Sequence, residues 1–88
     1  MKIVYKRRFL RDLERLPNAA KARIQAIVFS ELPQAEQLEQ IQGLRKLHGD
    51  RQFYRLRHGD YRIGLAVQED RLVVCRVLHR KDIYRYFP

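Results

Sequence analysis

Two short stretches of the chain gather side chains able to act together on a polyanion. Arg55 and Arg57 alternate within Phe53-Tyr54-Arg55-Leu56-Arg57, and Arg62 follows in Tyr61-Arg62-Ile63. Side chains on a strand alternate between its faces. With Tyr54, Leu56, Tyr61 and Ile63 turned inward, Arg55, Arg57 and Arg62 face outward together. Guanidinium offers planar, paired donors and keeps its charge, so three of them on one face suit phosphate. Plain solvated surface explains arginines on exposed strands equally well. The second stretch is His79-Arg80-Lys81-Asp82-Ile83-Tyr84-Arg85-Tyr86. A strand end opening into a loop is a frequent place for sites. Histidine changes charge near neutral pH, so His79 could transfer a proton. Arg80 could only neutralise charge, because guanidinium does not give up its proton. Tyr84 could stack on a base, donate a proton, or anchor the terminal helix. His48 and His58 read as surface or packing residues. Cys75, the one cysteine, reads as a small buried hydrophobe within Leu72-Val73-Val74-Cys75. No His/Cys/Asp/Glu set has metal-ligand spacing, and no glycine-rich phosphate loop or Ser/His/Asp arrangement is visible.

These residues need a scaffold, and the pattern of the chain supplies one. Residues 2–5 are β-branched and aromatic, as in a strand. Phe9, Leu10, Leu13 and Leu16 then recur at helical spacing, with Arg8, Arg11, Asp12 and Arg15 between them. Pro17 ends that helix. Asn18 is placed to cap a second, whose apolar stripe is Ala20, Ile24, Ile27, Val28 and Leu32, closed by Pro33. Residues 34–42 are polar, a loop or a short helical turn, and 43–47 lead back toward a sheet. The period then becomes two: 53–57 is a strand, His58-Gly59-Asp60 a turn, and 61–68 a strand with Tyr61, Ile63, Leu65 and Val67 on one face. Glu69-Asp70 turns the chain, 72–78 is apolar on both faces, and 81–87 suits one or two turns of helix. The expected fold is one α+β domain over residues 1–88. A helix hairpin would pack on a mostly antiparallel four-stranded sheet, in the order β-α-α-β-β-β-α, leaving the other face partly open.

Charge narrows the partners. The chain has 88 residues, 19 Lys and Arg against 10 Asp and Glu, a formal charge of +9 and a pI near 10.3. So strong a field on so small a body implies a polyanionic partner: nucleic acid first, an acidic protein second, an anionic membrane third. The excess is not a tail. Residues 1–44 hold eight Lys/Arg against five acids, and residues 45–88 eleven against five. Nothing reads as a signal peptide or a membrane helix, so the expected location is the cytoplasm.

Several runs together resemble the RelE/ParE toxin superfamily: Leu47-His48-Gly49, Tyr54-Arg55-Leu56-Arg57, Gly59-Asp60-Tyr61-Arg62-Ile63 and His79-Arg80-Lys81-Asp82-Ile83-Tyr84-Arg85. The resemblance implies a microbial RNase-like, RelE-like fold and a small RelB-like antitoxin as partner. It implies a type II toxin acting as an endoribonuclease on messenger RNA in the ribosomal A site, without metal or small-molecule cofactor. In that reaction the ribose 2′-OH attacks the adjacent phosphate and the 5′-oxygen leaves. Arg62 matches the family arginine at the scissile phosphate, Arg80 the arginine after the last strand, and Tyr84 the tyrosine against the nucleotide. These three, with His79, are the expected catalytic residues. Arg55, Arg57, Lys81 and Arg85 are the expected RNA-binding residues. The chain departs from the pattern at Phe53, where some active members place a lysine, and at Leu78, where glycine is frequent. The rival reading within the superfamily is a ParE-like toxin that inhibits DNA gyrase and hydrolyses nothing.

Overall fold

The computed structural model describes residues 1–47 and 52–88; His48 and Gly49 of the first matching run lie outside the described residues. Five strands form one sheet: β1 (Lys2–Tyr5), β2 (Leu44–Lys46), β3 (Phe53–His58), β4 (Tyr61–Gln68) and β5 (Arg71–His79), in the order β1-β5-β4-β3-β2. β1 runs parallel to β5, and every other pairing is antiparallel. The expected sheet had four strands. The fifth, β2, is three residues long, too short for alternation to stand out in the sequence.

After β1 come α1 (Arg7–Glu14) and α2 (Asn18–Ala26), joined across Pro17. Asn18 does not cap α2: it is the helix's first residue, Pro17 precedes it, and no side-chain cap bond forms. The chain continues through a π turn (Ile27–Glu31) and a 3₁₀ turn (Leu32–Gln34). Ile24, Val28 and Leu32 lie four residues apart and are buried, as the stripe predicts. With Phe9 and Leu13 of α1 they cover Leu56, Ile63, Leu65, Leu72, Val74 and Val77 of the sheet. The Tyr5 hydroxyl donates to the Val28 carbonyl, tying β1 to this layer.

The register of β5 shifts by one residue. Ile63 faces Val77 and Gly64 faces Arg76, but Leu65 faces Val74, so Cys75 and Arg76 share one position opposite β4. This is a β-bulge, and it reverses alternation beyond it. Val73 and Cys75 pack on the side away from the hairpin, whereas Arg76 and Val77 both turn toward α1. Asp12 meets them there. Its carboxylate accepts Arg76 Nε at 2.7 Å, Arg76 Nη2 at 3.1 Å and the Val77 backbone N–H at 3.2 Å. Asp12 is therefore buried, although its spacing in the sequence places it with the polar residues of the first helix.

The face away from the hairpin is less open than expected. Helix α3 (Ile83–Tyr86) follows β5 and folds back over it. Ile83 and Phe87 form a second, smaller core with Ala66, Val73 and Cys75, and Phe53 meets the Phe87 ring edge-on at 5.5 Å. Burial pushes the Cys75 thiol above its ordinary pKa, with Lys6 acting weakly the other way. Gly64 lets Phe87 close over the sheet: a Cβ there would stand 2.6 Å from the ring.

Removing the carboxylate in Asp12→Ala strands Arg76 and the Val77 N–H. It should cost about 3 kcal/mol in urea unfolding with an unchanged m value. Gly64→Ala must displace Phe87, with an expected loss of about 1–3 kcal/mol by the same measurement.

Candidate functional site

The hairpin turn between β3 and β4 organises the cationic residues. Gly59 adopts φ +56°, a left-handed conformation that costs other residues about 1–2 kcal/mol. Its carbonyl accepts Arg62 Nη1 at 2.8 Å, and the Tyr61 carbonyl accepts the same nitrogen at 2.9 Å. The Asp60 carbonyl accepts the Arg80 N–H at 2.7 Å. One turn thus fixes the Arg62 guanidinium and the backbone that carries Arg80.

Strand pairing sets the rest. Arg57 lies directly opposite Arg62, and Arg45 directly opposite Arg55. Like charges in such positions destabilise a sheet. Here two such pairs share the face away from the helix hairpin. Arg45 was not among the expected residues. Its signal lay in the alternation of Leu44, Arg45 and Lys46, legible only once their register against β3 is known.

Arg62 differs from the surface residue expected: it is 7% exposed. Desolvation pushes its pKa below the ordinary value, and the fields of Arg57, Arg55 and Arg80 push the same way, while Tyr84 opposes them. Arg55, Arg57, Arg80 and Tyr84 therefore all lie close enough to act on its charge. Among the described residues Arg62 has no ion pair; its partners are neutral carbonyls. Arg80 Nε stands 3.8 Å from Asp60 Oδ1, with both side chains more than half exposed, a pair of little strength. Tyr84 is 57% exposed on α3. Lys81 and Arg85 are exposed on the turn after β5 and on α3. Phe53, at the expected lysine place, is committed to the second core.

His79 is not brought to this cluster. It lies opposite Tyr61, and the two rings meet edge-on at 5.7 Å. Tyr61 belongs to the hairpin side of the sheet, whereas Arg62 and its partner Leu78 belong to the other. The His79 Nδ1 accepts the Lys81 N–H at 3.1 Å. Among the described residues no group of three or more His, Cys, Asp or Glu side chains could hold a metal ion, and no helix is long and apolar enough to cross a membrane.

A family model described as the ParE toxin of type II toxin-antitoxin systems matches residues 3–84. The chain belongs to this family. Toxin RelE3 of Methanocaldococcus jannaschii is 38% identical over 89 residues, covering 100% of both chains, which sets the chain within the wider RelE/ParE superfamily. Among solved structures, the toxin fold of the RelB-RelE antitoxin-toxin complex from Methanococcus jannaschii superposes with a TM-score of 0.80 at 36% identity, covering 97% of this chain and 99% of that one. The isolated Escherichia coli RelE toxin shares the fold, with a TM-score of 0.66 at 16% identity over 89% of this chain and 82% of that one. The sheet, the hairpin and the α3 cover are thus the family scaffold. The arginine cluster stands on that scaffold.

Each arginine in the cluster should add one phosphate contact. Arg45→Ala, Arg55→Ala and Arg57→Ala should each weaken binding to single-stranded RNA. Each should lower the magnitude of the salt slope, d log K/d log[salt], by about 0.7, measured by fluorescence anisotropy across a salt series.

Proposed function

We propose that this toxin is an endoribonuclease that cuts messenger RNA in the ribosomal A site, with a RelB-like antitoxin as its partner. One observation carries the reading. A desolvated Arg62 guanidinium, held by two carbonyls and ringed by further arginines, has its positive charge uncompensated. Such a site gains most when it receives an anion whose charge grows during reaction. Transesterification through the 2′-OH does this. The 2′ oxygen bonds to phosphorus and loses its proton. A dianionic phosphorane forms, and the P–O5′ bond breaks, leaving a 2′,3′-cyclic phosphate and a 5′-hydroxyl that has gained a proton.

Arg62 and Arg57 would bind the non-bridging oxygens, which carry the phosphorane's charge. Arg80, exposed at the end of β5, would stabilise the leaving 5′ oxygen. Guanidinium stays charged throughout, so its contribution is electrostatic. Tyr84 would lie against the base of the reacting nucleotide and orient its ribose for in-line attack. Arg55, Lys81 and Arg85 would hold flanking phosphates. His79 keeps a place at this end of the molecule, on the other side of the strand. The antitoxin would carry an acidic segment that neutralises the arginine face; the similar Methanococcus jannaschii structure is of a RelB-RelE antitoxin-toxin complex.

The family model bears the ParE name, and gyrase inhibition is the second reading that this match favours. Induction in cells separates the two. Mapping RNA 5′ ends should show new ends inside translated codons, without gyrase-linked DNA breaks. Arg62→Ala and Arg80→Ala should each lower cutting about 10²-fold or more while the far-UV circular dichroism stays unchanged. DNA breaks with intact messages, or full cutting by both variants, would sink the nuclease reading.

A further inference from the structure

On the hairpin side of the same strand end lies a second cleft, of about 420 Å³. That falls within the range of about 300–1,000 Å³ usual for sites that take small organic groups. It is lined by Leu16 and Pro17, from the link between the two helices, and by Tyr61, His79 and Tyr86. Arg15 stands exposed at its edge. None of these six residues belongs to the arginine cluster.

The cleft's chemistry is aromatic rather than anionic. Arg76 lines it too, but its charge is already matched by Asp12, and its guanidinium lies 5.9 Å from the centre of the Tyr86 ring. It holds the tyrosine in place instead of attracting phosphate. Tyr86 is 53% exposed, a ring kept at the surface with a face free to stack. Because Nδ1 of His79 accepts the Lys81 N–H, the neutral imidazole carries its proton on Nε2, a fixed donor. Apolar lining from Leu16 and Pro17, an open tyrosine ring and one oriented donor are what a nucleobase requires: stacking on its faces and a hydrogen bond to an edge acceptor. Position favours the same ligand. His79 and Arg80 are consecutive, one on the hairpin side and the other acting on the charge of Arg62.

We propose that this cleft is a nucleobase subsite, taking the base of a nucleotide next to the cleaved phosphate as the RNA strand passes over the end of β5. The assignment of that base to an RNA substrate rests on the ribonuclease reading; the capacity of the cleft to bind a base does not. His79 acts here as a base-contacting residue.

The test uses the full chain, isotope-labelled, titrated with adenosine, guanosine, cytidine and uridine. These carry no phosphate and so make no demand on the arginines. At least one should shift the ring signals of Tyr61, His79 and Tyr86 saturably. Tyr86→Ala should weaken that response about tenfold or more, the effect of losing one stacking partner. The base found next to cleavage sites should be less strictly selected in His79→Ala than in the parent. Ring signals that do not move with any of the four nucleosides overturn the subsite, even if messages are cut. Saturable shifts in a protein that cuts no RNA keep the subsite and refute the ribonuclease reading instead.

Discussion

The Asp12 carboxylate holds the molecule's working end in register. It is buried, it sits on α1, and it accepts three donors from β5: two from the Arg76 guanidinium and one from the Val77 backbone. A bulge leaves backbone donors without ladder partners and turns two successive side chains to one side. Here the freed donor and the displaced cation meet one acceptor. The ion pair alone would contribute little net stability, since desolvating two charges offsets most of their attraction. Its effect is on register. Beyond the bulge alternation is reversed, so Val77 enters the main core, Leu78 turns to the far side and His79 meets Tyr61. Without the extra residue His79 would stand on the arginine side. A contact between the first helix and the last strand thus decides which groups face which ligand.

The arginine face makes the opposite bargain. Arg45 opposes Arg55 and Arg57 opposes Arg62 across neighbouring strands, and Arg62 is nearly dry. Each feature works against the folded state on its own. The Gly59 and Tyr61 carbonyls orient the Arg62 guanidinium without neutralising it. The result is a site fixed in advance, where a bound anion meets groups that need not reorganise. The second core makes this rigidity affordable in structural terms. Phe87 over Gly64, with Phe53 at its edge, stiffens the strands that bear the arginines. Phe53, where some members of the family carry a lysine, is thereby committed to packing.

Much of this was legible in the sequence, for definite reasons. Alternation in 53–57 and 61–68 placed Tyr54, Leu56, Tyr61, Ile63, Leu65 and Val67 on the core face, where the structure has them. The spacing of Ile24, Val28 and Leu32 gave the buried stripe that runs from α2 through the turns after it. The turn at Gly59 followed from its residue type. Features made by long-range contact were not legible. The burial of Asp12 depends on a residue 64 positions away. The bulge lies in a run apolar on both sides, where alternation carries no signal. β2 is too short to announce itself, so Arg45 went unseen. The burial of Arg62 depends on the turn that its guanidinium folds back to meet.

The two faces of the strand end differ in the sign and kind of chemistry they offer, and that difference bears on why one small scaffold can serve distinct targets. The turn, the bulge and the α3 cover are matters of backbone geometry and packing, which a change of target need not alter. The chemistry each face presents is set by a few side chains at positions whose direction the scaffold has already fixed: 45, 55, 57, 62 and 80 on one side, 15, 79 and 86 on the other. Substituting any of the exposed ones costs little folding energy, since surface changes usually fall within about 0.5 kcal/mol. Arg62 is the exception, because it is buried and its hydrogen bonds close the hairpin. The exposed positions of this scaffold can therefore change with little consequence for folding, while Arg62 belongs both to the fold and to the cationic face and is constrained by both.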